Sequence, residues 1–285
     1  MSSSGALILV GTPIGNLGDL TPRAVEALRD ADVIAAEDTR RTRALLSHAG
    51  VRAGRRLRAV HARNERRLAA TIVDEVRRGA RVVYATDAGM PGISDPGERL
   101  VRACLDADLA VEVVPGPSAL LTGLVLSGLP TRRFVFEGFL PRKGKARAER
   151  LAAVAAETRT VVLFESPVRV AATLDDLAAA CGPEREIAVA RELTKRFEEV
   201  WRGTLGEAVA ESAASGARGE YVVIVGPVAR EPGELGDDGL DEAVDAALES
   251  GLSTRDAAAH VAAELSVPKR RAYDAATRLA RARRG

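Results

Sequence analysis

Short apolar runs, each closed by a glycine or an acidic step, alternate along the first 120 residues with segments whose apolar positions recur at helical spacing. Ala6–Val10 reads as a buried strand, and Val33–Ala36, Val82–Ala85 and Val111–Val114 as further strands. Thr21-Pro22 opens a helix, because Thr can cap it and Pro suits the first helical position; Val25, Leu28 and Ala31 give its apolar stripe. Arg40–Leu46, Leu68–Arg78 and Pro96–Ala107 supply the other helices. The resulting β-α-β-α-β-α-β order predicts a largely parallel sheet with helices on its faces.

A second cycle follows Gly128-Leu129-Pro130. Phe134–Phe136, Thr160–Phe164, Ile187–Ala190, Val200–Thr204 and Tyr221–Val225 read as strands, and Ala146–Ala156, Val168–Ala180 and Gly206–Ser215 as helices, so this half is also α/β with more hairpin character. Ala229–Gly239 is rich in Gly, Pro and acid and reads as a linker. Asp241–Ser250, Ser253–Leu265 (with Thr254 able to cap it) and Pro268–Arg284 then form compact helices. They resemble a helix-turn-helix module, with a plain helical end-cap as the alternative. The expected division is an α/β domain over 1–125, a second over 126–228, a linker over 229–240 and a helical module over 241–285.

Composition fits this picture: of 285 residues, 46% are hydrophobic and 28% charged, as in folded chains of two or three units. No apolar run approaches the roughly 18 residues of a spanning helix, and residues 1–5 lack a basic n-region. Neither a membrane span nor a signal peptide is expected, and the chain reads as cytoplasmic. Cys104 and Cys181 stand apart, each in a predicted helix, which points to packing rather than to a disulfide or a metal site. The net charge of +1 hides an uneven distribution. Arg40, Arg41 and Arg43 begin an arginine-rich stretch running to Arg81, in which only Glu65, Asp74 and Glu75 oppose it. Arg142, Lys143 and Lys145 form a second basic cluster, and Lys269, Arg270 and Arg271 open the basic last helix. Such patches suit a polyanion, although solvated helix faces account for them as well.

In open α/β sheets ligands sit outside the carboxyl ends of the strands. Three Gly/Pro-rich segments fall there: Gly11–Asp19, Thr86–Gly97 and Pro115–Ala119. The first has the spacing G-x₃-G-x₂-G, which matches neither the dinucleotide fingerprint nor the phosphate loop. Each segment alone can be a turn; together, on one sheet, they would meet at one small-molecule pocket. Ser118 can donate to a ligand or cap the next helix. Glu37-Asp38, Glu165 and Lys195 also follow strands, where charged residues either line a pocket or cap a helix.

Taken in order, these segments resemble the ribosomal RNA small subunit methyltransferase I family of the tetrapyrrole methylase superfamily. The resemblance rests on VGTPIGNLGDLTPRA (Val10–Ala24), AEDTRRTRALL (Ala36–Leu46), TDAGMPGISDPG (Thr86–Gly97), VPGPSA (Val114–Ala119), FEGFLPRKGKAR (Phe136–Arg147), FESPVRV (Phe164–Val170), ARELTKRFEEVWRGTL (Ala190–Leu205) and GEYVVIV (Gly219–Val225). It implies two α/β domains of tetrapyrrole-methylase type with a cleft between them, plus the small C-terminal helix-turn-helix-like module. It further implies S-adenosylmethionine bound in the cleft, a homodimer, and methylation of a cytidine ribose 2′-hydroxyl in the decoding region of 16S ribosomal RNA in the small ribosomal subunit.

Carried over by motif, the cofactor contacts are Pro13, Asp87, Ala88, Gly89, Met90, Ile93, Ser94, Ser118, Ala119, Phe164 and Glu165. Asp87 stands where superfamily relatives carry the acid of a Gly-Asp-Pro motif; here the residues are Thr86-Asp87-Ala88. The basic clusters, represented by Arg40, Arg41, Arg43, Arg142, Lys143, Lys145, Lys269, Arg270 and Arg271, become candidate RNA contacts. A 2′-hydroxyl is a very weak acid, so a base can assist; Glu165, Glu37 and Lys195 are the candidates. Two alternatives stand beside this reading: a small macrocyclic substrate for the same cofactor, and a nucleic-acid-binding protein whose α/β part only senses a ligand.

Overall fold

A computed structural model of the chain describes residues 5–214, 218–228, 237–265 and 267–283. They form two compact units, 1–227 and 228–285. Among the described residues no helix is long and apolar enough to cross a membrane.

The first unit begins with β1 (Ala6–Val10), α1 (Pro22–Asp30), β2 (Val33–Ala36), α2 (Thr39–His48), β3 (Leu57–Ala59), α3 (Glu65–Arg77), β4 (Arg81–Ala85), α4 (Glu98–Asp106), β5 (Ala110–Val114) and α5 (Ala119–Ser127). The first five strands make one parallel sheet in the order β3-β2-β4-β1-β5. Every residue of β1 is buried. Ile8 and Val10 point to the α1/α2 side with Leu28 and Leu46, whereas Leu7 and Leu9 point to the α3/α4 side with Ile72, Leu100 and Cys104. A strand covered on both faces has no polar alternation to show, which is why β1, β2 and β4 read as continuous apolar stretches, whereas the edge strand β5 is exposed along most of its length, Glu112 and Val113 included. Thr21 caps α1 through its hydroxyl, which accepts from the Ala24 amide at 3.1 Å. β3 has no apolar run to mark it, because it is a three-residue edge strand with Arg58 at its centre and little burial.

The same unit continues with β6 (Phe134–Phe139), α6 (Lys145–Ala156), β7 (Thr160–Glu165), α7 (Val170–Cys181), β8 (Glu186–Arg191), β9 (Glu199–Thr204), α8 (Leu205–Ala214) and β10 (Tyr221–Val225). The second sheet runs β6-β7-β10-β8-β9. Only β6 and β7 are parallel, and β8–β9 is a hairpin. One face packs against α6, α7 and α8 through Val154, Leu174, Leu177 and Leu205. The other carries Val162, Ala188, Val222 and Ile224, covered by Leu120 and Leu124 of α5 and by Ile14 from the loop after β1. The division expected at residue 125 therefore falls inside a helix that covers the second sheet. A Cβ on Gly123 would lie 2.9 Å from Val222 Cγ1, so glycine is what lets that helix approach so closely.

The second unit contains α9 (Asp237–Glu249), α10 (Thr254–Glu264) and α11 (Lys269–Ala282), packed through Leu240, Val244, Val261 and seven buried alanines. Of the expected linker, residues 229–236 lie outside the described residues, as does Ser266 of the second turn, and 237–240 already belong to α9. Ser253, not Thr254, caps α10; its hydroxyl accepts from the Asp256 amide at 3.2 Å. Two arginines of the basic tail act within the unit: Arg278 forms a two-pronged pair with Asp241 at 2.6 Å, and Arg283 pairs with Asp245 at 2.6 Å.

Candidate active site

Strands β4, β1 and β5 are neighbours, so the loops that leave their carboxyl ends start side by side. The Gly11 amide donates to Val114 O at 2.9 Å, and Thr12 and Gly89 exchange backbone hydrogen bonds at 2.9 and 3.1 Å. Gly11 and Gly116 meet backbone to backbone: a Cβ on Gly11 would fall 2.6 Å from Gly116 N and 2.7 Å from Met90 Sδ. The three Gly/Pro-rich segments do converge, and glycine is required where two of them touch.

They converge on a cavity of about 290 Å³. From the first sheet's loops it is lined by Ile14, Ala88, Gly89, Met90, Ile93, Ser94, Asp95, Ser118 and Ala119. From the second sheet come Phe139, Phe164, Glu165, Ser166, Pro167, Leu193, Glu220, Tyr221 and Val222. Nine of the motif-derived cofactor residues thus line one cavity. Pro13 and Asp87 are not among its lining residues. Asp87 instead turns toward β2, where its Oδ1 accepts from the Asp38 amide at 3.1 Å and its Oδ2 lies 3.5 Å from Arg41. Burial lifts the Asp87 carboxyl above its ordinary range, against the pull of Arg41 and of that amide. Ser118 occupies the cap position of α5 but its hydroxyl makes no cap bond, which leaves it available at the cavity wall.

The three proton-acceptor candidates part company. Glu165 is buried with both oxygens engaged: Oε1 accepts from Ser166 N at 2.8 Å, and Oε2 accepts from Thr173 Oγ1 at 2.7 Å and lies 3.3 Å from Arg169. Lys195 pairs with Glu192 at 2.8 Å and Glu220 at 2.7 Å. Burial works against its charge, but the two carboxylates prevail and hold it as an ammonium above its usual range. An ammonium has no lone pair with which to take a proton. Glu37 is half-buried behind β2, outside the cavity lining, and its carboxyl is raised, chiefly by burial.

Sequence reasoning missed Asp95, which lines the cavity between Ser94 and Pro96 and makes no hydrogen bond or ion pair among the described residues. Burial first, then the fields of Glu37, Asp87 and Glu220, push its carboxyl up to about 7. Ser94 beside it holds a left-handed φ of 61°. The signal was present as the second Asp of Thr86–Gly97, but nothing in the loop's composition says which of the two faces the cavity.

The chain matches the family of Tetrapyrrole (Corrin/Porphyrin) Methylases over residues 6–209. It is 47% identical over 274 residues to the ribosomal RNA small subunit methyltransferase I of Mycobacterium tuberculosis, covering 96% of this chain and 95% of that protein. The chain belongs to the ribosomal RNA small subunit methyltransferase I family. Another member, from Synechocystis sp., is 43% identical over 270 residues, covering 94% of this chain and 96% of its own. Among solved structures, a cobalt precorrin-4 methyltransferase shares the fold with a TM-score of 0.60 at 19% identity, covering 79% of this chain and 96% of its own. The uroporphyrin-III C-methyltransferase of Thermus thermophilus, complexed with S-adenosylhomocysteine, does so at 0.55 and 24%, covering 79% and 98%. The match to methyltransferase I family members extends through every loop that walls the cavity and into the helical second unit.

Proposed function

We propose that the chain is an S-adenosylmethionine-dependent methyltransferase that methylates the 2′-hydroxyl of a cytidine ribose in 16S ribosomal RNA, with the small ribosomal subunit as its partner. The observation that carries this reading is the cavity built from loops after three adjacent strands, apolar on its walls and acidic at its edge, in a member of this family. The resemblance extends the reading to a homodimer acting in the cytoplasm.

The residues present suit the cofactor. Ile14, Ala119, Leu193 and Val222 offer apolar walls for an adenine, and the Gly11–Gly116 contact draws two of the walling loops together. Asp95 and Glu220 set negative potential against a cation in the same cavity. When bound, S-adenosylmethionine supplies a methyl group on a sulfonium sulfur, which leaves as a neutral thioether when the ribose oxygen takes the methyl. The chain must then align the acceptor, exclude water and receive the hydroxyl proton. Asp95 is the group best suited to that proton: it lines the cavity with no hydrogen-bond or ion-pair partner among the described residues, and burial pushes its carboxyl up to about 7, toward the range a general base needs. Glu165 positions the wall through Thr173 and Arg169, and Lys195 ties the β8–β9 turn to Glu220.

RNA contacts come from the basic residues. On α2, Arg40 is paired with Asp38 at 2.8 Å and Arg41 with Asp87, whereas Arg43 has no ion pair among the described residues. Arg142 and Lys143 are exposed and have no ion pair among the described residues, whereas Lys145 lies 3.6 Å from Glu149. Lys269, Arg270 and Arg271 open α11 of the second unit. The test is to incubate small subunits with methyl-labelled cofactor and map the modified nucleotide. Label on a cytidine 2′-oxygen of 16S RNA is expected; label on a tetrapyrrole but not on RNA overturns the reading.

A further inference from the structure

Strand β6 contains an irregularity that decides where one aromatic ring points. Phe136 pairs with Val162, but Gly138 pairs with Leu163 and Phe139 with Phe164, so Glu137 is an extra residue in the ladder. In a regular strand, positions 136 and 139 face opposite sides of the sheet. The bulge restores Phe139 to the side of Phe136, and both rings meet Phe164 edge to face, at 4.9 and 5.8 Å between centroids. Gly138 makes this possible with a φ of 62°, and a Cβ there would lie 3.1 Å from Ser94 Oγ in the cavity loop.

The ring so aimed is 52% exposed. Only 3% of the chain is aromatic, and the exposed ring stands at the junction of two spaces. On one side is the cofactor cavity; on the other is an open groove of about 960 Å³ that shares Phe139 and Ser166 with it and continues past Arg142 and the almost fully exposed Val168. The groove's floor is held from below. Arg169 donates to Leu140 O at 2.8 Å, and Arg147 donates to Pro141 O at 3.0 Å while neutralising Asp176 at 2.7 Å. These two arginines are spent on the fold; Arg142 and Lys143, at the tip of the turn they hold, have no ion pair or side-chain hydrogen bond among the described residues.

We propose that this groove seats the acceptor nucleotide: its base stacks on Phe139, and Arg142 and Lys143 hold the adjoining phosphates. This rests on the RNA reading above and specifies how that substrate is presented. A sugar hydroxyl can reach the cofactor cavity only if its base and phosphates lie just outside, and this adjoining groove offers both a π-face, Phe139, and a cation, Arg142, that has no ion pair among the described residues. Stacking also requires the nucleotide to be unpaired, so it selects single-stranded segments.

The test compares full-length wild type with Phe139→Leu, Phe139→Trp and Arg142→Ala, measuring cofactor affinity by calorimetry, binding of small subunits, and kcat and KM for methyl transfer. Leu keeps the apolar wall and removes the π-face. Phe139→Leu is expected to bind cofactor within about twofold of wild type and to lose about ten- to a hundredfold in kcat/KM, while Phe139→Trp stays within about threefold. Arg142→Ala is expected to raise KM several-fold and to reduce the salt slope of subunit binding by about one. Equal kcat/KM for Phe139→Leu and an active wild type overturns the inference and leaves the function standing. A loss of cofactor affinity equal to the loss of activity makes Phe139 a cofactor wall and overturns it too. Weakened binding to intact subunits but unchanged binding to protein-free 16S RNA assigns the ring to a ribosomal protein instead. A wild type that places no methyl on subunit RNA overturns the function and this inference together.

Discussion

Glu65 Oε1, at the start of α3, accepts a hydrogen bond from the backbone amide of Gly97 at 2.9 Å, and also from the amides of Arg99 and Leu100 at 3.1 and 3.3 Å. A residue more than thirty positions away thus caps α4, whose own cap residue is a glycine with φ of 131° and no side chain to offer. Three first-turn amides that α4 cannot satisfy internally are bound by one buried carboxylate, which also sits at the positive end of the helix dipole. This pins the far end of the loop Thr86–Gly97 that walls the cavity.

Glu65→Ala removes the acceptor and leaves those amides buried without a partner. The expected cost is about 2–3 kcal/mol, read as a fall of several degrees in Tm. Weaker cofactor binding should accompany it, because the cavity loop loses its anchor. Thermal and urea unfolding of the variant check this; a Tm within one degree of wild type would show that Glu65 does not anchor α4.

Gly116→Ala tests the meeting of the loops directly. Its Cβ would lie 2.7 Å from the Gly11 carbonyl carbon, an overlap with backbone that no rotamer change relieves. The two loops must part, so cofactor affinity is expected to fall at least tenfold, with a stability loss of about 1–3 kcal/mol. Far-UV circular dichroism should be unchanged, since the strands beneath do not depend on the contact. Wild-type affinity in calorimetry would show that the junction does not shape the pocket.

What the sequence displays and what it conceals follow from the range of each interaction. Ala6–Val10 and Tyr221–Val225 are legible end to end because burial on both faces leaves an uninterrupted apolar run. The three loops are legible as Gly/Pro clusters, and the Thr21-Pro22 cap as a local motif. The order β4-β1-β5 that makes those loops neighbours is a property of non-local pairing and has no local signature. The same holds for Lys195, whose partner Glu220 is distant in sequence, and for Asp95, told apart from Asp87 only by the direction each takes in the folded loop. The β6 bulge hides for another reason. Gly138 looks like a strand end, so the apolar pattern ends the strand at Phe136, and the re-aimed Phe139 is invisible.

The second unit has its own core of Leu240, Val244, Val261, Ala272 and Ala276, so a chain ending at residue 227 should keep its cavity. Cofactor affinity is expected to stay within about twofold. Binding of small subunits should weaken and lose part of its salt dependence, because Lys269 and Arg270 go with the deleted helices. Calorimetry and a salt titration of subunit binding check both halves. Collapse of cofactor affinity would make the helical unit part of the site.

Asp95 ties stability and activity to pH with opposite signs. Its folded pKa of about 7 stands above the ordinary 3.8. Between those values the folded chain keeps a proton that the unfolded chain has shed, so this contribution is full in acid and is lost as pH rises to about 7. Asp95→Asn cannot ionise. With allowance for screening of a half-exposed group, the variant should exceed wild type in stability by about 1–2 kcal/mol at pH 8 and match it near pH 4. Catalysis needs the ionised form, so wild-type kcat/KM should rise with pH to a plateau above about 7, and Asp95→Asn should lose about a hundredfold together with that inflection. Denaturant melts at both pH values and a pH–rate profile measure the two effects on the same samples. An Asp95→Asn enzyme that keeps the wild-type inflection would place the proton acceptor elsewhere.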